Sequence, residues 1–293
     1  MLEGIIVKGI GGFYYIKTEL GILECKARGK FRKEKLTPVV GDRVCASVVD
    51  EAEMTGSLDE ILPRKNEFIR PPVANIDQMI ITLAVQDPMP NLFLVDKLTV
   101  TALAAGVECV ICINKIDLDD QKADELCQVY QTTGFRVILS SSLDGTGTDE
   151  LRGVLQDKVT ALAGNSGVGK SSILNGIDSR FQLETGTVSD KIKRGRHTTR
   201  HTELFELEFG GYVFDTPGFG SFEVEEIRDS ELEFLFPEFA PYLGTCRFQG
   251  CRHISEPDCA VKQALADGAV SASRYESYQE LYNKLKDIKE WMR

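Results

Sequence analysis

The segment Gly164-Asn165-Ser166-Gly167-Val168-Gly169-Lys170-Ser171 lies between a strand-like apolar run, Val159–Ala163, and a helix-forming run that begins Ser171-Ser172-Ile173-Leu174. Glycines at this spacing, between a strand and a helix, let backbone N–H groups curl around phosphate oxygens, and the helix N-terminus adds favourable dipole charge. Lys170 is placed to reach the β- and γ-phosphates of a nucleotide. The Ser171 hydroxyl is placed to ligate Mg²⁺, with Ser172 beside it in the binding set. Around this loop, strand-like and helical patterns alternate. Met79–Val85, Val107–Ile113, Arg136–Leu139, Glu203–Phe209 and Tyr212–Asp215 read as strands; Leu92–Ala105 and Lys122–Thr132 read as helices, with further helices opening at Leu151 and Gly169. That alternation predicts a mostly parallel sheet covered on both faces.

A second motif selects the base. Asn114-Lys115-Ile116-Asp117 follows the buried-type strand Val107–Ile113, where ligand sites of open α/β sheets gather. An aspartate there accepts hydrogen bonds from the N1–H and the 2-amino group of guanine, a pair that adenine lacks. Asn114 and Lys115 brace the loop and pack along the base. Ser141-Ser142, after the strand Arg136–Leu139, can place backbone N–H groups near guanine O6, and Ser140 allows a register one residue earlier. Asp215-Thr216-Pro217-Gly218 closes the strand Tyr212–Asp215: Asp215 is placed to hold Mg²⁺ through water, and the Gly218 N–H to contact a γ-phosphate and sense its loss. Together these describe a GTP-hydrolysing core with Mg²⁺. In Ras-like GTPases the phosphate loop comes first. Here NKID and the serine turn precede it, and DTPG comes last, so the motif order is circularly permuted.

The rest of the chain adds domains on both sides. Residues 1 to about 70 read as short strands, Gly4–Lys8, Phe13–Thr18, Ile22–Ala27, Arg43–Val49 and Leu58–Leu62, punctuated by glycines. Five strands in that length predict a small closed barrel of the OB type, with Pro71-Pro72 as a linker. Beyond residue 225 the pattern is helical, interrupted by Cys246-x4-Cys251-x-His253-x5-Cys259, and ends in a helix from Ala272 to Trp291. Three thiolates and an imidazole at this spacing suit tetrahedral Zn²⁺, and four protein ligands leave no open position, so one structural zinc per chain is expected. The other five cysteines fall in strand or helix patterns and read as core. The expected domains are 1–70, an OB-fold barrel; 71–223, a circularly permuted P-loop GTPase domain; and 224–293, a helical zinc-binding domain, together a multidomain α/β protein.

Charge narrows the partners. A net charge of −11 opposes indiscriminate binding to nucleic acid. Yet Lys26–Lys35 carries six basic residues against one acid, and Lys191–His201 carries five Lys/Arg with two histidines. Two basic patches on an acidic chain suggest local contact with phosphate. The longest apolar runs have strand length, so no membrane partner is expected. The first residues lack a secretory pattern, so a cytoplasmic location is expected, with the cysteines reduced.

The permuted order, the N-terminal barrel and the C-terminal Cys/His cluster together resemble the bacterial ribosome small-subunit-dependent GTPase A family, over essentially the whole chain. The cluster matches that family's zinc motif residue for residue. Gly195-Arg196-His197-Thr198-Thr199 matches its switch motif, which implies that Thr198 or Thr199 closes on Mg²⁺ and the γ-phosphate. Where Ras-like enzymes have a water-orienting glutamine, the residue after Gly218 is Phe219, which cannot orient water. His197 is the nearest candidate to act instead, and the resemblance supports it as catalytic; a phosphate- or RNA-facing surface histidine is the alternative. The resemblance further implies GTP and GDP as ligands, and the small ribosomal subunit with its rRNA as partner in late subunit maturation. A monomer is expected. Two other readings fit less of the chain. A P-loop kinase of a small acceptor leaves NKID, DTPG and the zinc cluster without a role, and a passive RNA-binding module with a vestigial nucleotide site is opposed by the intact Lys170, Ser171 and Asp215.

Overall fold

The computed structural model describes residues 1–33, 35–181, 202–215, 224 and 227–288, with backbone alone at Arg32 and Asp215. In chain order, β1 (Leu2–Ile10), β2 (Phe13–Thr18) and β3 (Gly21–Ala27) lead through the single turn α1 (Lys30–Lys33) to β4 (Arg43–Asp50) and β5 (Thr55–Ile61). The short strands β6 (Glu67–Phe68) and β7 (Val73–Ala74) follow. Next come β8 (Gln78–Ala84), α2 (Leu92–Ala104), β9 (Glu108–Asn114), α3 (Asp120–Gln131), β10 (Arg136–Ser140), α4 (Thr148–Leu155), β11 (Val159–Ala163) and α5 (Lys170–Ile177). β12 (Glu203–Glu206), β13 (Tyr212–Asp215), α6 (Ala260–Ala266) and α7 (Ala272–Leu285) complete the described strands and α-helices, with 3₁₀ turns at Ile116–Leu118, Leu232–Leu235 and Pro237–Tyr242. They divide into two compact units.

The first unit takes the described residues within Met1–Met79, Arg152–Leu162 and Asp190–Phe219. Its N-terminal strands pair in the order β1-β2-β3-β5-β4, and β4 returns to β1, closing a five-stranded barrel. β3 and β5 run parallel and the other barrel pairs antiparallel, as an OB-type barrel requires. Alternate residues Ile16, Leu23, Cys25, Val44, Ala46 and Leu58 fill the interior. Pro71-Pro72, expected as a linker, instead lies in the turn of a small hairpin in which Phe68 pairs with Val73. Beyond the barrel, β12 pairs antiparallel with β1 at Lys8 and Glu203, and β13 pairs parallel with β11. The buried Gln78 donates to Val154 O at 2.6 Å and to Thr160 Oγ1 at 2.9 Å, which fixes the start of β8 against β11.

The second unit takes the described residues within Ile80–Leu151, Ala163–Ser189 and Gly220–Arg293. β8, β9 and β10 are neighbours, and β9 and β10 are parallel in register from Arg136 opposite Val110 to Ser140 opposite Asn114. β8 is buried throughout, an apolar run after Gln78 interrupted by Thr82. The C-terminal helices pack through Phe236, Phe239 and Tyr278, whose rings meet at 5.0–5.3 Å, and through Leu281 and Leu285, with Val100 of α2 in the same core.

A buried network of charged side chains sits inside this unit, centred on one arginine. Arg274 of α7 is fully buried and donates to Asp96 at 2.8 Å, to Thr99 Oγ1 at 3.2 Å and twice to Glu238, at 2.7 and 3.2 Å. Its guanidinium lies 4.6 Å from the centre of the Phe236 ring. Tyr130, near the end of α3, donates its hydroxyl to the same Asp96 at 3.1 Å. Burial works against the Arg274 charge, but the two carboxylates more than offset it and hold its pKa above the ordinary arginine value. Burial raises the Asp96 carboxyl despite the neighbouring guanidinium. Removing one partner from such a group leaves uncompensated buried charge, at a cost of about 3–5 kcal/mol.

Candidate nucleotide and metal sites

β11 delivers the phosphate loop. Gly164, Gly167 and Gly169 adopt φ of +131°, +81° and +98°, a region in which side-chain-bearing residues are strained. Space forbids replacement as well: a Cβ at Gly164 would stand 2.1 Å from the Thr82 carbonyl oxygen, and one at Gly169 would stand 2.2 Å from Asn114 Nδ2. Val168 is buried, while Ser166 and Gly167 face outward. Lys170 opens α5 and donates from Nζ to the carbonyls of Gly164 at 2.8 Å and Asn165 at 2.7 Å. Burial pushes its ammonium down to about 8. Ser171 and Ser172 are half-buried in the first turn of α5, where a hydroxyl is a hard oxygen donor suited to Mg²⁺.

NKID is tied directly to this loop. Asn114 ends β9, is 1% exposed, and donates Nδ2 to the Val168 carbonyl at 2.8 Å. Lys115 takes a left-handed φ of +61°, turning the chain so that Asp117 follows in a short 3₁₀ turn. Lys115 Nζ donates to the Asp87 carbonyl. The Asp117 carboxylate accepts the Ser141 hydroxyl at 2.5 Å, which holds one of its oxygens in place. Gln86 Nε2 donates to Asp119 at 3.2 Å, and Asp119 caps α3 by accepting the Lys122 N–H at 2.9 Å. Residues 86–88 therefore belong to the site. No motif marks them; their only sequence signal is that they follow strand β8.

The serine turn has a different division of labour from the one expected. Ser141 is buried, and its N–H is engaged by Thr146 O at 3.1 Å, while its hydroxyl serves Asp117. Ser142 is exposed. Asp215 ends β13 with its backbone opposite Glu203. His197, Thr198, Thr199 and Gly218 lie outside the described residues.

The four expected metal ligands converge. Cys246, Cys251, His253 and Cys259 bring their ligand atoms within 4.8 Å of one another. His253 Nδ1 lies 3.6, 3.5 and 3.2 Å from the sulfurs of Cys246, Cys251 and Cys259, and Cys246 and Cys259 are 3.9 Å apart. A tetrahedral ion at ordinary zinc–sulfur and zinc–nitrogen distances separates its ligand atoms by roughly 3.6–3.8 Å, so the cluster can hold zinc. His253 Nε2 lies 2.9 Å from the Glu233 carboxylate, which orients the ring and leaves Nδ1 to face the thiols. Sequence reading missed Glu233, which stands 20 residues away with no motif around it. The Ala260 N–H points at Cys246 Sγ and the His253 N–H at Cys251 Sγ, at 3.3 and 3.4 Å. Burial pushes the Cys251 thiol up to about 12 and raises Cys259, so a bound cation is what would favour thiolates here. Of the other cysteines, Cys25, Cys109 and Cys112 are buried and Cys45 and Cys127 half-buried, all as free thiols. Cys109 and Cys112, three apart on β9, point to opposite faces.

On the barrel, Lys26, Arg28, Lys30, Lys33 and Lys35 are all exposed. Arg28 is engaged by Asp59 at 2.6 Å, and Lys26 lies 5.0 Å from the centre of the Phe13 ring. The patch is therefore only partly neutralised within the protein.

The sequence profile of the RsgA GTPase family matches residues 61–225, and that of the RsgA N-terminal domain matches residues 3–55. The chain belongs to the RsgA GTPase family. A relative from Ruminiclostridium cellulolyticum, named small ribosomal subunit biogenesis GTPase RsgA, is 51% identical over 99% of this chain and 96% of its own. One of the same name from Caldanaerobacter subterraneus is 47% identical over 98% of this chain and 96% of its own. Among solved structures, YjeQ from Thermotoga maritima aligns with a TM-score of 0.85 at 36% identity, covering 98% of this chain and 99% of that one. YloQ, described as a circularly permuted GTPase, aligns at 0.81 and 36% identity over 99% and 96%. RsgA membership makes the chain a GTP hydrolase with a permuted core, as its motif order implies, and implies Mg²⁺ with the nucleotide.

Two outcomes follow from this geometry. In Asp117→Asn an amide replaces the acceptor-only carboxylate, so GTP should bind more weakly and xanthosine triphosphate relatively better in a titration; unchanged GTP affinity would remove Asp117 from the base site. A phosphate against Lys170 favours the charged ammonium, so its pKa rises on binding. GDP binding should therefore take up a proton near pH 8 and weaken as pH rises through about 8. Calorimetry in buffers of different ionisation enthalpy reads this, and absence of proton uptake near that pH would contradict it.

Proposed function

We propose that this chain hydrolyses GTP to GDP and phosphate in association with the small ribosomal subunit, late in that subunit's maturation, through contact with its rRNA. The observation that carries the nucleotide chemistry is the tie between Asn114 and the phosphate loop, beside an Asp117 held by Ser141. The subunit reading is supported by the relatives named small ribosomal subunit biogenesis GTPase, and by the exposed basic patch on the barrel.

In this reading Asp117 accepts from guanine N1–H and the 2-amino group. Ser142 supplies the backbone N–H for guanine O6, because the Ser141 amide is already engaged. The N–H groups from Gly164 to Ser172 surround the phosphates, Lys170 neutralises developing charge, and Ser171 and Asp215 hold Mg²⁺. Thr198 or Thr199 closes on the metal and γ-phosphate, Gly218 senses phosphate loss, and His197 positions the attacking water where Phe219 cannot. Cys246, Cys251, His253 and Cys259 hold one structural zinc. The protein acts as a cytoplasmic monomer, with a barrel over 1–70, the permuted core over 71–223 and the zinc domain over 224–293. A phosphotransferase reading is not favoured, since it gives NKID and the metal cluster no role.

Docking of the basic segment Lys191–His201 on rRNA would bring His197 to the reacting phosphate. Hydrolysis should then be slow alone and rise with small subunits by roughly 10²-fold or more, the scale of one positioned catalytic group. Because phosphate contacts release counterions, the stimulation should shrink as salt rises. Steady-state phosphate release across a salt series, with large subunits as control, tests this for wild type and His197→Ala. Equal rates with and without small subunits would end the subunit reading; full stimulation of the variant would remove His197 alone.

A further inference from the structure

We infer that α7 couples metal binding at the Cys/His cluster to guanine binding at NKID, with Arg274 as the positioning residue through which the coupling passes. The inference rests on the nucleotide reading above. One stretch of α7 touches both sites' supports. Tyr275 donates its hydroxyl to the carbonyl of the metal-ligand residue His253 at 2.6 Å, and Tyr278 donates to the adjacent Arg252 carbonyl at 2.9 Å. Arg274, next to Tyr275, bonds Asp96 and Thr99 of α2 and Glu238 of the segment Pro237–Tyr242. Phe239 in that same segment packs against the His253 ring, with centroids 6.1 Å apart.

The far side of this network is the guanine site. α2 follows the loop whose Gln86 and Asp87 grip Asp119 and Lys115. α3 starts at Asp120, three residues after Asp117, and Tyr130 near its other end bonds the Asp96 that Arg274 holds. Both helices that issue from these loops thus meet at the Asp96 carboxylate that Arg274 holds. Asp96, Glu238 and Arg274 are all buried, so the seat of Arg274 cannot loosen without leaving charge unpaired away from water. Without a metal the segment from Cys246 to Cys259 loses its cross-link, Tyr275 and Tyr278 lose fixed partners, and α7 is freed to shift. The buried charges then force α2 and α3 to adjust with it, and the NKID loop pays in order.

The test uses the full chain as purified, its metal content read first, with one zinc per chain expected. Fluorescently labelled GDP is titrated into zinc-loaded and chelator-treated protein, with circular dichroism as a check on helix content. Removing zinc should weaken GDP binding by roughly 5- to 150-fold, the usual range of intersite coupling. The loss should be larger for GDP than for inosine diphosphate, which lacks the amino group that Asp117 reads. By linkage, saturating GDP should tighten zinc by the same factor in competition with a chromophoric chelator. Tyr275→Phe keeps the ring and deletes the bond to His253; it should still bind zinc and GDP but show a clearly smaller coupling factor, the Tyr278 bond to Arg252 remaining. Equal GDP affinity with and without zinc, together with chelator competition unmoved by GDP, would overturn the coupling. Coupling undiminished in Tyr275→Phe, including any arising from global unfolding of metal-free protein, would overturn the α7 route. Absence of GDP binding to the zinc-loaded wild type would instead contradict the nucleotide reading, and the coupling with it.

Discussion

The hydrogen bond from Asn114 Nδ2 to the Val168 carbonyl, 2.8 Å long and buried, joins the two halves of the proposed nucleotide site. A base-reading loop and a phosphate-gripping loop are useful only at a fixed separation, because a nucleotide is a fairly rigid ruler. In this chain the two loops lie 54 residues apart across that bond and come in reversed order, so chain connectivity does not set their spacing. The side chain does. Its contact also explains the glycine at 169: a Cβ there would collide with Asn114, so the loop is shaped around its brace. Burial strengthens the effect, since Val168 O would otherwise be left without a partner away from water.

Permutation leaves the chemistry of the site unchanged but alters what is attached to it. The motif order, NKID first and DTPG last, places the barrel before NKID and the helices with the Cys/His cluster after the DTPG strand. The first barrel strand also pairs with β12, reinforced by a Lys8–Glu203 ion pair at 2.9 Å, and β12 pairs with the strand that ends at Asp215. At the other end, Arg274 fastens α7 to α2. Each accessory element is thereby built onto a strand or helix that leads to a nucleotide loop.

Local patterns were legible in proportion to how local their causes are. The five barrel strands, the helices α2 and α3, and the phosphate-loop flanks were readable because alternation and helical periodicity are short-range. The motif residues were readable because glycines at 164, 167 and 169 and acceptors such as Asp117 are demanded by chemistry at fixed spacing. The convergence of Cys246, Cys251, His253 and Cys259 was readable for the same reason. What escaped depends on long-range packing. The β12–β1 pairing, Glu233 behind His253, the Gln86–Asp87 brace and the Arg274 network each unite residues whose sequence neighbourhoods look ordinary. For Ser141, spacing cannot show what the fold does, that its amide is turned to Thr146 and its hydroxyl to Asp117. Pro71-Pro72 misled because a proline pair signals a break in regular structure without saying whether the chain runs on or turns back.

The GDP affinity of Asn114→Ala measures the Asn114 brace most directly. Deleting the amide leaves the base-reading carboxylate and every phosphate-binding group in place and removes only what holds them at the right distance. Loss of one buried hydrogen bond, at about 1–3 kcal/mol, predicts GDP binding weaker by roughly 5- to 150-fold in a calorimetric titration, with helix content retained. GDP affinity within about twofold of wild type in a folded variant would contradict it, because the two loops would then be held in register by something other than this bond.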